Sequence, residues 1–579
     1  MKYLIDINKI ISNKQKTGLI LLILLMFSST ALELISLNVF FVILKYFSNF
    51  ESLSSYVYLD YFLNILKKIA PNYSMAVYLI SIFFIVFLLK TLIYIYFAYK
   101  HSHYIAHCKK ALSERLFVGY LNLPKLYHLR SNLSETIKNI TVEVNYFVSG
   151  IENLLLALLE IIVLLGISFY LITVDAKTVL ILLTALVIFS IFFYFLNIKP
   201  IIRMGKERVG ANRGRIKYIY EGLSGNKAYA ITNTKNFVSG EFAKDNNKLA
   251  NIETSFSYRK SLPKPLYEVF VLLLLSIALI YGLSLGQNLQ DFIPKIGIFL
   301  MAGYRLVPSF SRIFSNLQTV HFDMQSSKKL RNDYDLFTFL EKQSATETTK
   351  DFTFKNSIEL KNVNFTYSKN KSNSIKDLVF KNINLKIDAG SKIGIMGESG
   401  VGKSTLLDII MGLMPVTSGS VLIDNEKVET IGKSWQKNIG CVPQNVFIND
   451  ESIKKNIAFG IDPKQIDDEK IEQSISLSNI KDFCNQLKFG INTLIGQNGS
   501  RISGGQKQRI GIARAIYHNP NVLIFDEATT ALDEITEKRI IDDIFKNFKS
   551  KTIIFVSHKK ENLKYCERIL KIENNTIKE

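Results

Sequence analysis

At 579 residues the chain is too long for one hydrophobic core, so several domain-sized units are expected. A 48% hydrophobic and 12% aromatic composition coexists with a formal charge of +21. Two classes fit that combination, a nucleic-acid-binding protein and a membrane protein whose cytoplasmic loops hold the excess Lys and Arg. The positive charge clusters between long apolar runs, which favours the membrane class, and no nucleic-acid partner is expected.

Six stretches are long and apolar enough to span a bilayer: Gly18–Tyr46, Val77–Phe97, Tyr146–Tyr170, Thr178–Ile198, Leu266–Leu285 and Phe292–Phe314. The first lacks a small-residue cleavage site and runs on through "LNVFFVILKYF", so it reads as a retained helix rather than a signal peptide. Between the first two spans, Ser54–Pro71 has helical apolar spacing at Tyr58, Phe62, Ile65, Leu66 and Ile69. It reads either as an interfacial helix touching lipid on the outer face or as a packing helix that caps the bundle.

The second span carries Lys90 inside "FFIVFLLKTLIYIYF". The loop after it holds Lys109, Lys110, Arg115, Lys125 and Arg130, and the loop after the fourth span holds Arg203, Lys206, Arg208, Arg213, Arg215 and Lys217. The linkers "TVDAK" and "GQNLQD" are nearly free of positive charge, which puts both termini and both long loops in the cytoplasm. All four cysteines, Cys108, Cys441, Cys484 and Cys566, fall on that side without metal-ligand spacing, and reduced thiols are expected. Lys264 sits between Pro263 and Pro265 at the start of the fifth span, and Arg305 interrupts "GIFLMAGYRLVPSF" in the sixth. An ionisable residue in a span is costly and faces a bundle interior or a wet cavity. Three cations from three spans suit an anionic substrate such as a phosphate or pyrophosphate, whereas the acids Glu33, Glu152, Glu160 and Glu268 offer internal pairing instead.

Residues 1–330 thus read as a helical membrane domain with two long cytoplasmic loops, and 331–356 as a linker. From 357 to 579, β-branched runs alternate with helical patterns, as in a soluble α/β domain. "GESGVGKST" follows the strand "KIGIM" and opens a helix, the setting in which this spacing means phosphate binding. Gly397, Glu398, Ser399, Gly400, Val401 and Gly402 would wrap phosphates, Lys403 would reach the β- and γ-phosphates, and Ser404, followed by Thr405, would hold Mg²⁺. "VLIFDEATTALD" ends an apolar strand at Asp526, suited to hold Mg²⁺, and places Glu527 beside it as a general base.

With "ISGGQKQR" between those motifs and a histidine after the last strand, the domain resembles the nucleotide-binding domain of ABC transporters. The resemblance implies an α/β P-loop NTPase fold and the ATPase activity of a translocase, with ATP and Mg²⁺ as cofactors. It implies that Ser503, Gly504, Gly505 and Gln506 of one subunit close on the γ-phosphate held by the other, so a homodimer. It further implies that Tyr367 stacks on adenine, Gln444 senses Mg²⁺, Asp533 bridges the two sites and His558 contacts the γ-phosphate. Gln497 stands where relatives usually carry an acid, and lysines follow His558 where they show an arginine and apolar residues.

Six spans fused ahead of the ATPase resemble the exporter arrangement, in which segments such as Pro124–Ser131 and Gly225–Thr234 form short helices that dock near Gln444. "GYRLVPSFSRI", "LPKPLYE" and "FLLKTLIYIYF" are similar to segments of bacterial ABC flippases for lipid-linked oligosaccharides, the PglK and Wzk type. That resemblance implies a multi-pass protein of the bacterial inner membrane that moves undecaprenyl-pyrophosphate glycans for protein glycosylation or O-antigen assembly. Lys90, Lys264 and Arg305 would then face the translocation cavity. A lipid A or multidrug exporter is the alternative within the family.

Overall fold

The computed structural model describes residues 2–47, 75–174, 176–284, 289–344, 352–367 and 378–579. The expected outer-face helix at Ser54–Pro71 lies outside the described residues. Two compact units emerge, one of Met1–Leu123 and Ser131–Thr338, the other of Pro124–Arg130 and Phe339–Glu579.

The first unit is all helix. Its main elements are Asn13–Phe47, Met75–Leu121, Val144–Val174, Ala176–Ser224, Lys235–Ser261, Pro263–Ser284 and Leu289–Asp323. In hydrocarbon every backbone N–H and C=O must be paired internally, which is why the apolar runs are unbroken helices. Among the described residues, four stretches are long and apolar enough to cross a membrane: Gln15–Val39, Val77–Leu121, Leu133–Thr173 and Val179–Ser224. The expected fifth and sixth spans fall on Pro263–Ser284 and Leu289–Asp323, helices only part of whose side chains are described.

At 1.5 Å per residue, the 47-residue helix Met75–Leu121 and the 49-residue Ala176–Ser224 are roughly 70 Å long, twice what a bilayer requires. The basic "loops" are therefore largely helical arms that continue the spans. A short helix at Asn226–Ile231 interrupts the second arm, and the short helix Lys125–Arg130 belongs to the second unit. Inside the unit Leu37, Ile167, Leu171, Leu182, Leu186, Tyr267 and Leu306 share one core. Phe84, Leu92, Ile188, Phe192 and Phe195 point outward, as lipid-facing side chains do. Where the arms meet, Arg208 is fully buried, its guanidinium 3.4 Å from the centre of the Tyr146 ring and 3.5 Å from Glu143, which also takes Lys138 at 3.5 Å.

The second unit contains two sheets. The smaller has the order β2 (Phe380–Asp388), β1 (Ser357–Phe365), β4 (Ser418–Ile423), β5 (Glu426–Lys427), all antiparallel. The larger has the order β10 (Thr576–Lys578), β9 (Arg568–Glu573), β3 (Lys392–Met396), β8 (Thr552–Val556), β7 (Val522–Asp526), β6 (Ile439–Val442), parallel from β9 to β6. β3, β7 and β8 are apolar runs without alternation, as expected for strands buried on both faces. Ligands of such sheets bind beyond the carboxyl ends of the strands, and both the β3 loop and Asp526 at the end of β7 lie there.

Candidate active site

The loop after β3 turns into helix Lys403–Ile410 through Gly400 and Gly402, at φ 83° and 108°. A Cβ at Gly402 would also stand 3.0 Å from Phe380 and Val379, so both backbone angle and space demand glycine there. Lys403 is buried and its Nζ donates to the carbonyls of Gly397 and Glu398, 2.9 and 3.2 Å away. The same nitrogen lies 3.3 Å from Glu527 Oε1 and 3.2 Å from His558 Nε2.

Glu527 is the hub. Its Oε1 is 2.8 Å from His558 Nε2 and its Oε2 accepts from Gln444 Nε2 at 2.9 Å. The residue holds a φ of 51°, in the left-handed region that a glutamate rarely adopts. Strain of that kind persists only where surrounding contacts over-determine it, and here three polar partners do so. Beside it, burial raises the Asp526 carboxyl above its ordinary range; a hydrogen bond from Ser404 opposes that rise and the Glu527 charge adds to it. A carboxylate and a hydroxyl, side by side and partly desolvated, are the hard oxygen donors that Mg²⁺ takes alongside nucleotide phosphate and water. Ser404 and Asp526 would therefore hold the metal, and Gln444 sits one carboxylate away.

Tyr367, 40% exposed, sets its ring edge-on to Phe365 and shares a 2.7 Å hydrogen bond between its hydroxyl and Thr405 Oγ1. Its ring is free to take a flat partner at the rim of the phosphate loop. The sequence-predicted residues 367, 397–405, 444, 526, 527 and 558 thus converge in one chain. The remaining ones do not join them. Ser503 caps helix Gly504–Tyr517 in a reciprocal box with Gln506, and Asp533 caps Glu534–Asn547 by accepting from Thr536 N. Among the described residues no hydrogen bond or ion pair links Ser503, Gln506 or Asp533 to the phosphate loop.

Two contacts escaped sequence reasoning. Lys125 Nζ meets both oxygens of Asp408 at 2.7 and 2.8 Å, and Arg130 donates to the Tyr367 carbonyl. Helix Lys125–Arg130 therefore grips the phosphate-loop helix and the Tyr367 strand end together. The sequence predicts a short docking helix at Pro124–Ser131, placed near Gln444; the further signal for these contacts is a lone acid, Asp408, within the apolar helix "TLLDIIMGL".

The charges of the membrane unit are also placed. Lys90 and Arg305 both contact Glu33, and Arg312 Nε donates to Glu160 at 2.6 Å. Lys264 is exposed and has no ion-pair partner among the described residues.

Residues 380–530 match the ABC transporter family model, a stretch that includes the phosphate loop, Gln444, the Ser503–Gln506 segment, Asp526 and Glu527. An export ATP-binding/permease protein of Rickettsia typhi is 33% identical over 52% of this chain and 52% of its own length; the match spans about half of that relative. An ATP-dependent lipid A-core flippase of Wigglesworthia glossinidia brevipalpis is 28% identical over 80% of this chain and 79% of its own. A solved structure of a bacterial Atm1-family ABC exporter with ATP bound aligns at a TM-score of 0.74, with 18% identity, over 98% of this chain and 95% of that one, a likeness of fold. Residues 380–530 thus carry the ABC transporter family's nucleotide-binding module, and the chain as a whole has the fold of an ABC exporter and is similar over most of its length to an ATP-dependent lipid A-core flippase.

Proposed function

We propose that the protein is an ATP-driven flippase for a polyprenyl-pyrophosphate-linked oligosaccharide, working as a homodimer with six spans per chain in a bacterial inner membrane. The observation that carries this reading is the set of cations in the membrane unit, Lys90, Lys264 and Arg305: two of them make the internal pairing with Glu33 that the sequence offered as the alternative, but they share that one carboxylate and so keep a positive charge in excess. Cations held among apolar helices suit a lipid whose headgroup is a phosphate anion.

ATP with Mg²⁺ would be held by residues 397–405, with Tyr367 against adenine and Ser404 and Asp526 toward the metal. Ser503–Gln506 and Asp533 of a second copy would complete the site, which fits their separation from the phosphate loop within one chain. A bound Mg²⁺ supplies charge neutralisation to the phosphates. Glu527 takes the proton of the attacking water, and His558 and Gln444 hold its carboxylate in line. Closure shifts helix Lys403–Ile410, and the Lys125–Asp408 pair passes that shift to a segment lying in the chain between Met75–Leu121 and Val144–Val174.

A second reading, lipid A export, is favoured by the similarity to the lipid A-core flippase over most of both chains. The test is ATP-dependent movement of labelled undecaprenyl-pyrophosphate oligosaccharide in proteoliposomes, beside lipid A and beside Glu527→Gln protein. Movement of the pyrophosphate lipid that stops with Glu527→Gln supports the first reading. Movement of lipid A alone replaces it with the second.

A further inference from the structure

Three helices of the membrane unit bring charge to one atom. Oε1 of Glu33, on Asn13–Phe47, takes Arg305 Nη1 from Leu289–Asp323 at 2.7 Å and Lys90 Nζ from Met75–Leu121 at 3.3 Å. Among the described residues no other acid reaches either cation. Two cations against one carboxylate leave a net charge of +1 in an apolar stretch. The side chains are 16%, 30% and 18% exposed for Glu33, Arg305 and Lys90, so the node is open on one side and not dissolved in water.

Uncompensated charge in such surroundings is costly until an anion joins it. Arg305 engages Glu33 through one terminal nitrogen, which leaves the planar fork a second face for a phosphate. Glu33 and a phosphate compete for the same donors. We propose that this node binds the phosphorylated headgroup of a lipid, and that Glu33 is its built-in competing anion. The headgroup enters by drawing Arg305 and Lys90 off Glu33, and Glu33 takes them back when the lipid leaves. The inference rests on the reading above that these cations face the transported lipid, and it adds the device that keeps binding reversible. No covalent step is involved. Affinity is set by the difference between two anions rather than by the cations alone.

The test uses the full-length protein in nanodiscs, with ATP hydrolysis followed as undecaprenyl-pyrophosphate lipid or, separately, lipid A is titrated in. Glu33→Gln keeps the size and an acceptor oxygen but removes the competing charge. It should bring half-maximal stimulation at roughly tenfold lower lipid and lower the maximal stimulated rate. Glu33→Asp keeps the charge and should return the midpoint toward that of the unmodified protein. An unchanged midpoint in Glu33→Gln, or an equal shift in Glu33→Asp, overturns the proposal. If Glu33→Gln does not assemble, Lys90→Gln removes the excess charge and leaves the shorter Arg305 pair; its midpoint should rise, and no rise overturns the proposal. A shift seen with lipid A alone keeps the node and discards the polyprenyl lipid of the previous section. Stimulation by neither lipid discards both.

Discussion

Oε1 of Glu527 lies 2.8 Å from Nε2 of His558 and 3.3 Å from Nζ of Lys403, so one carboxylate oxygen joins the histidine that follows β8 to the phosphate-loop lysine. Gln at position 527 would keep the shape and most contacts but would accept a water proton poorly. Glu527→Gln should lower phosphate release at least about a hundredfold while ATP affinity stays within severalfold. Steady-state hydrolysis beside nucleotide binding checks this, and retained hydrolysis would remove Glu527 from the base role.

His558 touches the same oxygen and therefore acts in good part through Glu527. His558→Ala should slow hydrolysis by roughly tenfold to a hundredfold, and the double variant should be no slower than Glu527→Gln alone. Losses that multiply in the double variant would mean that the two groups serve separate steps.

The phosphate loop, the Glu527 pair and the alternation of strands and helices were legible because each is local: a few consecutive residues dictate the turn, the strand end and the donors. The exposed helical arms were not. Runs such as "KERVGANRGRIKYIYEG" are polar enough to read as loop, and only continuity with a span makes them helix to Ser224. Glu33 was named as one of several pairing acids, but that Lys90 and Arg305 share it depends on how three helices are rotated, and no single segment encodes rotation. The positions of Ser503 and Asp533 depend still more on distant contacts. Their caps are local and visible, whereas the site proposed for them is one that only a second copy would complete.

Lys125 and Asp408 offer a cleaner test of transmission. Asp408 is 8% exposed and Lys125 43%, so the pair is half screened by solvent. Lys125→Met would leave the carboxylate without its cation, at a cost of roughly 1–2 kcal/mol after discounting for that screening. Asp408→Asn in the same protein should recover most of the thermal stability. It should not recover lipid-stimulated hydrolysis if the ion pair carries motion, so melting temperature and stimulated rate must part company in the double variant. Joint recovery would reduce the pair to a structural clip.

Asp323 gives the clearest dependence on pH. It lies beyond the end of the expected sixth span, is 3% exposed, and burial pushes its carboxyl up to about 6; a hydrogen bond from Ser149 and the nearby charges of Arg208 and Lys260 oppose that rise. The folded protein therefore holds this proton more tightly than the unfolded chain, whose carboxyl titrates near 3.8. The resulting stabilisation is complete below about pH 4 and is lost as pH rises through about 6, up to roughly 3 kcal/mol in all. Above that pH a buried charge has to be tolerated, and Arg208, whose Nη2 donates to the Asp323 carbonyl rather than its carboxylate, compensates only in part. Asp323→Asn should accordingly change the melting temperature little at about pH 3.5 and raise it at about pH 7.5. A lowered melting temperature at the higher pH would instead make Asp323 an ionised partner that the Arg208 cluster needs, with burial the lesser influence.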